Sequence, residues 1–302
     1  MNENDHENLI LDTHTNNVNF DYTIEENIFN KLSCFLKNHT GINLPYSDKN
    51  QTLLSSRVAR VLKQYQLKNH KEFYNKLIEG EKKLIDEFIL AMTTNMTSFF
   101  REANHFDLLP SLIEKLLIRK RSLCQYDLRI WCSASSTGEE PYTIAMVLNE
   151  NIPKNEGWQL HFLSTDIDKA VLTKASIGIY GEKEMSNVPE SYNLRFFEKG
   201  KGRHLGYHRV IKDLRDKINF ALFNLVEEYY PFQHKFDIIF CRNVLIYFEK
   251  EQIEKTIKKF EACLNEDGYL FLGHSESILN GPESLKSIAP SVYKKGKTLE
   301  KI

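Results

Sequence analysis

Apolar residues recur at three- and four-residue intervals through the first hundred positions. Ile24, Ile28, Leu32, Phe35 and Leu36 form one stripe, and Gly41 follows where a helix would end. A second stripe, Leu54, Val58, Val61 and Leu62, predicts a helix beginning near Ser47 or Asp48. Shorter helical patterns run through Phe73, Leu77, Leu84, Phe88 and Met92. Residues 23–100 therefore predict a small all-helical domain. Residues 1–22 are rich in Asn, Asp, Glu and Thr without a period and predict a disordered tail.

Past a predicted helix at Phe106–Arg119 the period changes. Leu128–Ser133, Leu160–Ser164, Ile218–Leu222, Phe236–Cys241 and Tyr269–Leu272 are short apolar runs that predict strands. Helical patterns at Glu140–Glu150, Lys169–Ala175 and Lys250–Leu264 separate several of them. Alternation of this kind predicts an α/β domain over 101–302, a parallel sheet with helices on both faces. Ligands in such sheets bind beyond the C-terminal strand ends. Between about 189 and 216 the alternation breaks, and Gly200, Gly202 and Gly206 have the spacing of turns between short strands. A small β insertion is expected there.

The 302-residue chain is 41% hydrophobic and 27% charged, a composition that predicts globular structure rather than disorder. Its formal net charge of −1 offers no global field for nucleic acid. The five cysteines are scattered and form no CxxC pair, a pattern of a reducing compartment. With no signal-like N-terminus and no long apolar run, a soluble cytoplasmic protein without membrane insertion is expected.

The candidate chemistry lies at the predicted strand ends. Ala134-Ser-Ser-Thr-Gly138-Glu-Glu-Pro141 joins a strand to a helix, where small residues and a helix start let a ligand approach the backbone. It lacks the glycines of a dinucleotide fingerprint. Asp166, after the second strand, is an acid placed to accept from ribose hydroxyls, although Asp168 or Asp166 could instead cap the next helix. Asn95, Thr97 and Arg101 lie at the junction of the two regions, a common place for a pocket. Arg242 and Asn243 end one apolar strand, and Asn224-Leu225 ends another. His204 and His208 are four apart but have no third ligand nearby, and Arg119-Lys120-Arg121 is a cluster at a helix end. Neither carries a metal or nucleic-acid reading.

In their order and spacing, TTNMTSFFRE, SASSTGEEPY, STDID, FNL, FCRNVLIYF and LFLGHSE resemble the chemotaxis receptor glutamate O-methyltransferases, the CheR family, over about 24–295. The resemblance implies a Rossmann-like class I methyltransferase domain, with the β insertion, behind an all-α domain. It implies S-adenosylmethionine as cofactor and S-adenosylhomocysteine as product. Carried over, Asn95, Thr97 and Arg101 would contact the cofactor from the interdomain segment and Glu140 would sit near its methionyl amine. Asp166 would hold the ribose, Asn224 and Leu225 would flank the adenine, and Arg242 and Asn243 would close the pocket. Glu139 and Glu140 cannot be separated on the residues; Glu140 is chosen on the family pattern.

A glutamate substrate is already an anion at neutral pH, its carboxyl having a reference pKa of about 4.3. No general base is needed, in keeping with the lack of a His-centred constellation. Arg101 and Tyr247 are the expected catalytic pair, orienting the reacting groups. Arg57, Arg60 and Lys63 are expected on the face opposite Leu54, Val58 and Leu62, available to the acidic methylation helices of methyl-accepting receptors. The β insertion resembles the part that binds a receptor C-terminal peptide in some family members. A methyltransferase for another substrate and a non-catalytic adaptor are the rival readings.

Overall fold

The computed structural model describes residues 24–278 and 281–296. The tail expected at 1–22 lies outside the described residues. Four helices come first: α1 (Glu26–Thr40), α2 (Asp48–Gln64), α3 (His70–Ile78) and α4 (Lys82–Met92). Phe29, Leu32, Leu54, Val58, Phe73 and Phe88 are fully buried and make one core, with Phe73 and Phe88 edge-to-face at 5.3 Å. Ser47 caps α2, its Oγ accepting from the Asn50 N–H at 3.2 Å. Gly41 ends α1 with φ of 78°, donating its N–H to the Lys37 carbonyl. A Cβ at Gly41 would stand 2.6 Å from Val226 Cγ1 and 2.9 Å from the Phe248 ring. The same glycine thus stops the helix and lets the helical layer touch the rest of the chain.

Helix α5 (Asn104–Ser122) leads into the alternating part: β1 (Asp127–Cys132), α6 (Glu139–Asn151), β2 (Gln159–Asp166) and α7 (Lys169–Ile177). Next come β3 (Ile179–Gly181), α8 (Glu190–Phe196), β4 (Phe197–Lys199), β5 (Tyr207–Val210) and α9 (Lys212–Arg215). The chain then returns through β6 (Ile218–Leu222), β7 (Phe236–Cys241), α10 (Lys250–Cys263), β8 (Leu264–Leu272), β9 (Leu285–Ala289) and β10 (Val292–Lys295). The main sheet has the order β6-β2-β1-β7-β8-β10-β9. Its first five strands are parallel, and β10 runs antiparallel to both neighbours. Strand β1 lies between β2 and β7, so the connections diverge to opposite sides there, and a crevice opens at the strand ends.

Both faces of the sheet are covered. On one, Trp131 is fully buried among Phe223, Phe232, Phe236 and Phe260, its indole N–H donating to Thr165 Oγ1 at 2.9 Å. On the other, Ile130, Phe240 and Phe271 pack against residues of α5 and α6.

Two sequence expectations need correction. The β insertion begins before 189, because β3 supplies an edge of a three-stranded antiparallel sheet of order β3-β5-β4. Residues past Val210 belong instead to the short helix α9. The second correction is on α2. Arg57 does not share an open face with Arg60 and Lys63: its guanidinium turns to the end of α4 and donates to the Met92 carbonyl at 2.8 Å. Arg60 and Lys63 are exposed. Among the described residues no helix is long and apolar enough to cross a membrane.

Candidate functional site

A cleft of about 850 Å³, its solvent-open mouth included, opens where β1, β2 and β7 end, walled on one side by the 93–97 segment that follows α4. Asn95, Thr97, Arg101, Glu140, Asp166, Asn224, Leu225, Arg242, Asn243 and Tyr247 all line it. They come from five separate stretches of chain, brought together by the topology. Arg57, Arg60 and Lys63 do not line it.

Asp166 is buried at the end of β2. Its carboxylate accepts from the Ser136 N–H at 2.8 Å and the Asp168 N–H at 3.0 Å, which aims it at the turn after β1. Burial pushes its carboxyl up to about 6, against the pull of those backbone donors. The turn itself depends on Gly138, at φ 102°, where a Cβ would lie 2.6 Å from the Tyr180 hydroxyl. Asp168 is the helix cap: Oδ1 accepts from the Ala170 and Val171 N–H groups, and Oδ2 accepts from the Asn95 amide at 2.9 Å. That last bond ties the 93–97 segment to the start of α7, and Ser136 Oγ donates to the Asn95 carbonyl at 2.9 Å.

The adjacent glutamates separate cleanly. Glu140 turns into the cleft and accepts from Arg242 at 2.7 Å, whereas Glu139 faces Thr137 and lies off the cleft. Arg242 is 4% exposed and also donates to Glu102 at 2.9 Å and to the Arg101 carbonyl at 2.5 Å. Its Nε, buried, has no partner among the described residues. Burial alone would raise Glu102, but the bonds from Arg242 and Asn243 outweigh it and hold the carboxyl down to about 2. For the more deeply buried Glu140, burial wins over the Arg242 charge and the carboxyl is pushed up. One guanidinium therefore organises two acids, Glu140 in the cleft and Glu102 behind it.

Asn243 stands at φ 59°, a strained conformation for a non-glycine residue. Glu276 holds it there, accepting from the N–H groups of Asn243 at 2.9 Å, Leu245 at 2.7 Å and Gly273 at 2.6 Å. Asn224 donates to the His39 carbonyl at 2.7 Å and Tyr247 accepts from the Asn43 N–H through its own carbonyl at 2.7 Å. The helical layer is thus pinned to both lips of the cleft. Arg101 donates to the Met96 carbonyl at 2.8 Å.

Glu102, His105 and His274 offer three ligand-type atoms within 4.8 Å of one another. Both Glu102 oxygens are already occupied by Arg242, Asn243 and the His274 N–H. Burial and the Arg242 charge lower His105 to about 4, so its ring is neutral near pH 7. The three sit behind Arg242 and do not line the cleft. The residue pattern alone gives Glu102, Asp168 and Glu276 no role in shaping the cleft. Glu102 and Glu276 nevertheless fall inside the quoted motifs TTNMTSFFRE and LFLGHSE.

The chain matches the family described as CheR methyltransferase, SAM binding domain, over residues 95–293, and its all-alpha domain over 27–93. The chain belongs to the CheR methyltransferase family. It is 38% identical over 293 residues to the chemotaxis protein methyltransferase of Borreliella burgdorferi, covering 94% of this chain and 100% of the relative. It is 36% identical to chemotaxis protein methyltransferase 2 of Pseudomonas aeruginosa, covering 92% and 95%. The Escherichia coli relative of the same name is 37% identical, covering 83% and 84%. This CheR chain is accordingly a methyltransferase that uses S-adenosylmethionine. The cleft fits that group: a buried acid at a strand end, an acid–arginine floor and an apolar wall at Phe223 and Leu225.

Proposed function

We propose that this CheR protein esterifies glutamate side chains of methyl-accepting chemotaxis receptors in the cytoplasm, and that the strand-end cleft is where it does so. The observation that carries the reading is the convergence of Asp166, Glu140, Arg242 and Asn95 on one cleft in a CheR chain. Asp166 would hold the ribose hydroxyls. Glu140 and Arg242 would meet the charged methionyl end, and Asn224 and Leu225 would flank the adenine, with Asn95, Thr97 and Asn243 completing the enclosure. When bound, S-adenosylmethionine supplies a methyl group on a positively charged sulfur, which a carboxylate oxygen can take in one displacement.

The remaining work falls to the protein. A glutamate carboxylate needs no deprotonation at neutral pH, so the site must align it and strip its water. Arg101 and Tyr247 line the cleft and have the chemistry for this, a charge-assisted contact and a hydroxyl donor. Receptor membranes incubated with methyl-labelled cofactor should gain label that mild base releases. Arg101→Ala should slow that transfer by about a hundredfold, the loss of one strong charged contact in the transition state. Base-stable label, or label in nucleic acid, would remove the glutamate reading. Transfer by R101A at the unaltered rate would remove the role of Arg101.

Recognition is proposed to use two surfaces. Arg60 and Lys63, exposed on α2, suit an acidic methylation helix. The β3-β5-β4 sheet ends in short edge strands on both sides, which suits strand addition by a receptor C-terminal peptide. Reversing both charges (R60E with K63E) should raise the receptor KM at low salt, with the effect fading at high salt. Deleting the receptor C-terminal segment should raise it independently. No change from either alteration would contradict the corresponding surface.

A further inference from the structure

Helix α4 ends without a glycine and without a basic residue in its last turn, and Thr93 leaves it with ψ of 147°. The final carbonyls of a helix need donors and favour positive charge. Here both come from another helix. Arg57 on α2 donates through Nη1 to the Met92 carbonyl at 2.8 Å and the Thr93 carbonyl at 3.1 Å, and through Nη2 to Thr94 Oγ1 at 3.1 Å.

The segment so held is the wall of the cleft. Thr93, Thr94, Asn95, Met96 and Thr97 all line it. Its far side is fastened to the connections that follow β2 and β1 by Asp168 on Asn95 and Ser136 on the Asn95 carbonyl, and Arg101 closes it locally on the Met96 carbonyl. Segment 93–98 carries no secondary structure of its own. Its path is therefore set by these side chains, and Arg57 is the one that fixes where it departs from the helical layer. A planar fork can serve two carbonyls and a hydroxyl together, which a lysine ammonium cannot do with the same geometry.

We infer that Arg57 is a positioning residue for the cofactor cleft, holding the 93–97 wall in place rather than standing on the receptor-facing surface of α2. This rests on the cleft as the cofactor site and is independent of which acceptor is methylated.

The test is calorimetric titration of the full chain with S-adenosylhomocysteine, paired with steady-state kinetics. Arg57→Gln should weaken cofactor affinity about tenfold, the equivalent of one charge-assisted bond, and raise the KM for S-adenosylmethionine in parallel. The KM for receptor, and kcat at saturating cofactor, should stay within about twofold. Arg57→Lys should fall between the two, and it carries the same test if R57Q does not fold. Unchanged cofactor affinity in the folded variants, or a rise confined to the receptor KM, would overturn the inference. Failure of the unaltered protein to bind S-adenosylhomocysteine would instead count against the cleft as the cofactor site.

Discussion

Arg242→Met is expected to lower the melting temperature by roughly 10 °C and to abolish measurable cofactor binding, because it leaves two buried-side acids without their cation. The guanidinium is 4% exposed and bridges Glu140 at 2.7 Å and Glu102 at 2.9 Å. Breaking a buried pair from one side typically costs about 3–5 kcal/mol, since the remaining charge stays desolvated. With the cation gone, both carboxyls should take up protons more readily in the folded protein. The stability loss should accordingly be largest near neutral pH and shrink on acidification, where protonation neutralises the orphaned acids. Arg242→Lys should recover only part of it, as one ammonium cannot span both partners and the Arg101 carbonyl. Calorimetric scans between pH 5 and pH 8 check this; a pH-independent melting temperature close to the unaltered protein's would contradict the bridging role.

Cofactor affinity is expected to fall on acidification through pH 6, and Asp166 is expected to be the cause. Burial raises its carboxyl to about 6 in the free protein. Ribose hydroxyls donate best to the ionised form, so binding favours the carboxylate. Affinity should be full above about pH 6 and decline below it by up to about tenfold per pH unit. The stability of the free protein moves the other way. A folded-state carboxyl above its unfolded value of 3.8 holds its proton better when folded, so ionising it between pH 4 and pH 6 costs stability. Asp166→Asn should bind the cofactor about a hundredfold more weakly and lose this pH dependence, on the scale of a lost charged hydrogen bond. Titration with S-adenosylhomocysteine from pH 5 to pH 8 decides it: a D166N profile that still declines below pH 6 would assign the titration elsewhere.

The parallel sheet and its cleft were legible because they rest on local patterns. An apolar run that stops at Arg242-Asn243, or at Asn224-Leu225, marks a strand end whatever surrounds it. Strand-end position then gathers residues far apart in sequence. Helix ends were legible for the same reason, through Ser47 and Gly41.

What escaped depends on contacts with no local signature. Glu102 matters because the start of α5 abuts the end of β7, 140 residues away, a neighbourhood no periodicity reports. Glu276 clasps the turn after β7 from a loop that the motif LFLGHSE names without explaining. Strand β9 is an edge strand with largely exposed residues, so it lacks the apolar run that marks the central strands. Strand β3 is three residues long, too short for any period to mark where the insertion starts. A helical wheel gives the direction of the Arg57 Cβ but not the end point of a long side chain, which reaches the terminus of α4.

On the proposed mechanism this cleft aligns an existing carboxylate and uses no general base. The direct test is the rate of methyl transfer to receptor membranes in a single turnover, at saturating S-adenosylmethionine, from pH 6.5 to pH 9. The acceptor is ionised throughout that range, as is Asp166 over most of it, so a flat profile is expected. A rate that climbs about tenfold per pH unit would mean that a proton must first be removed, and would contradict alignment of an existing carboxylate.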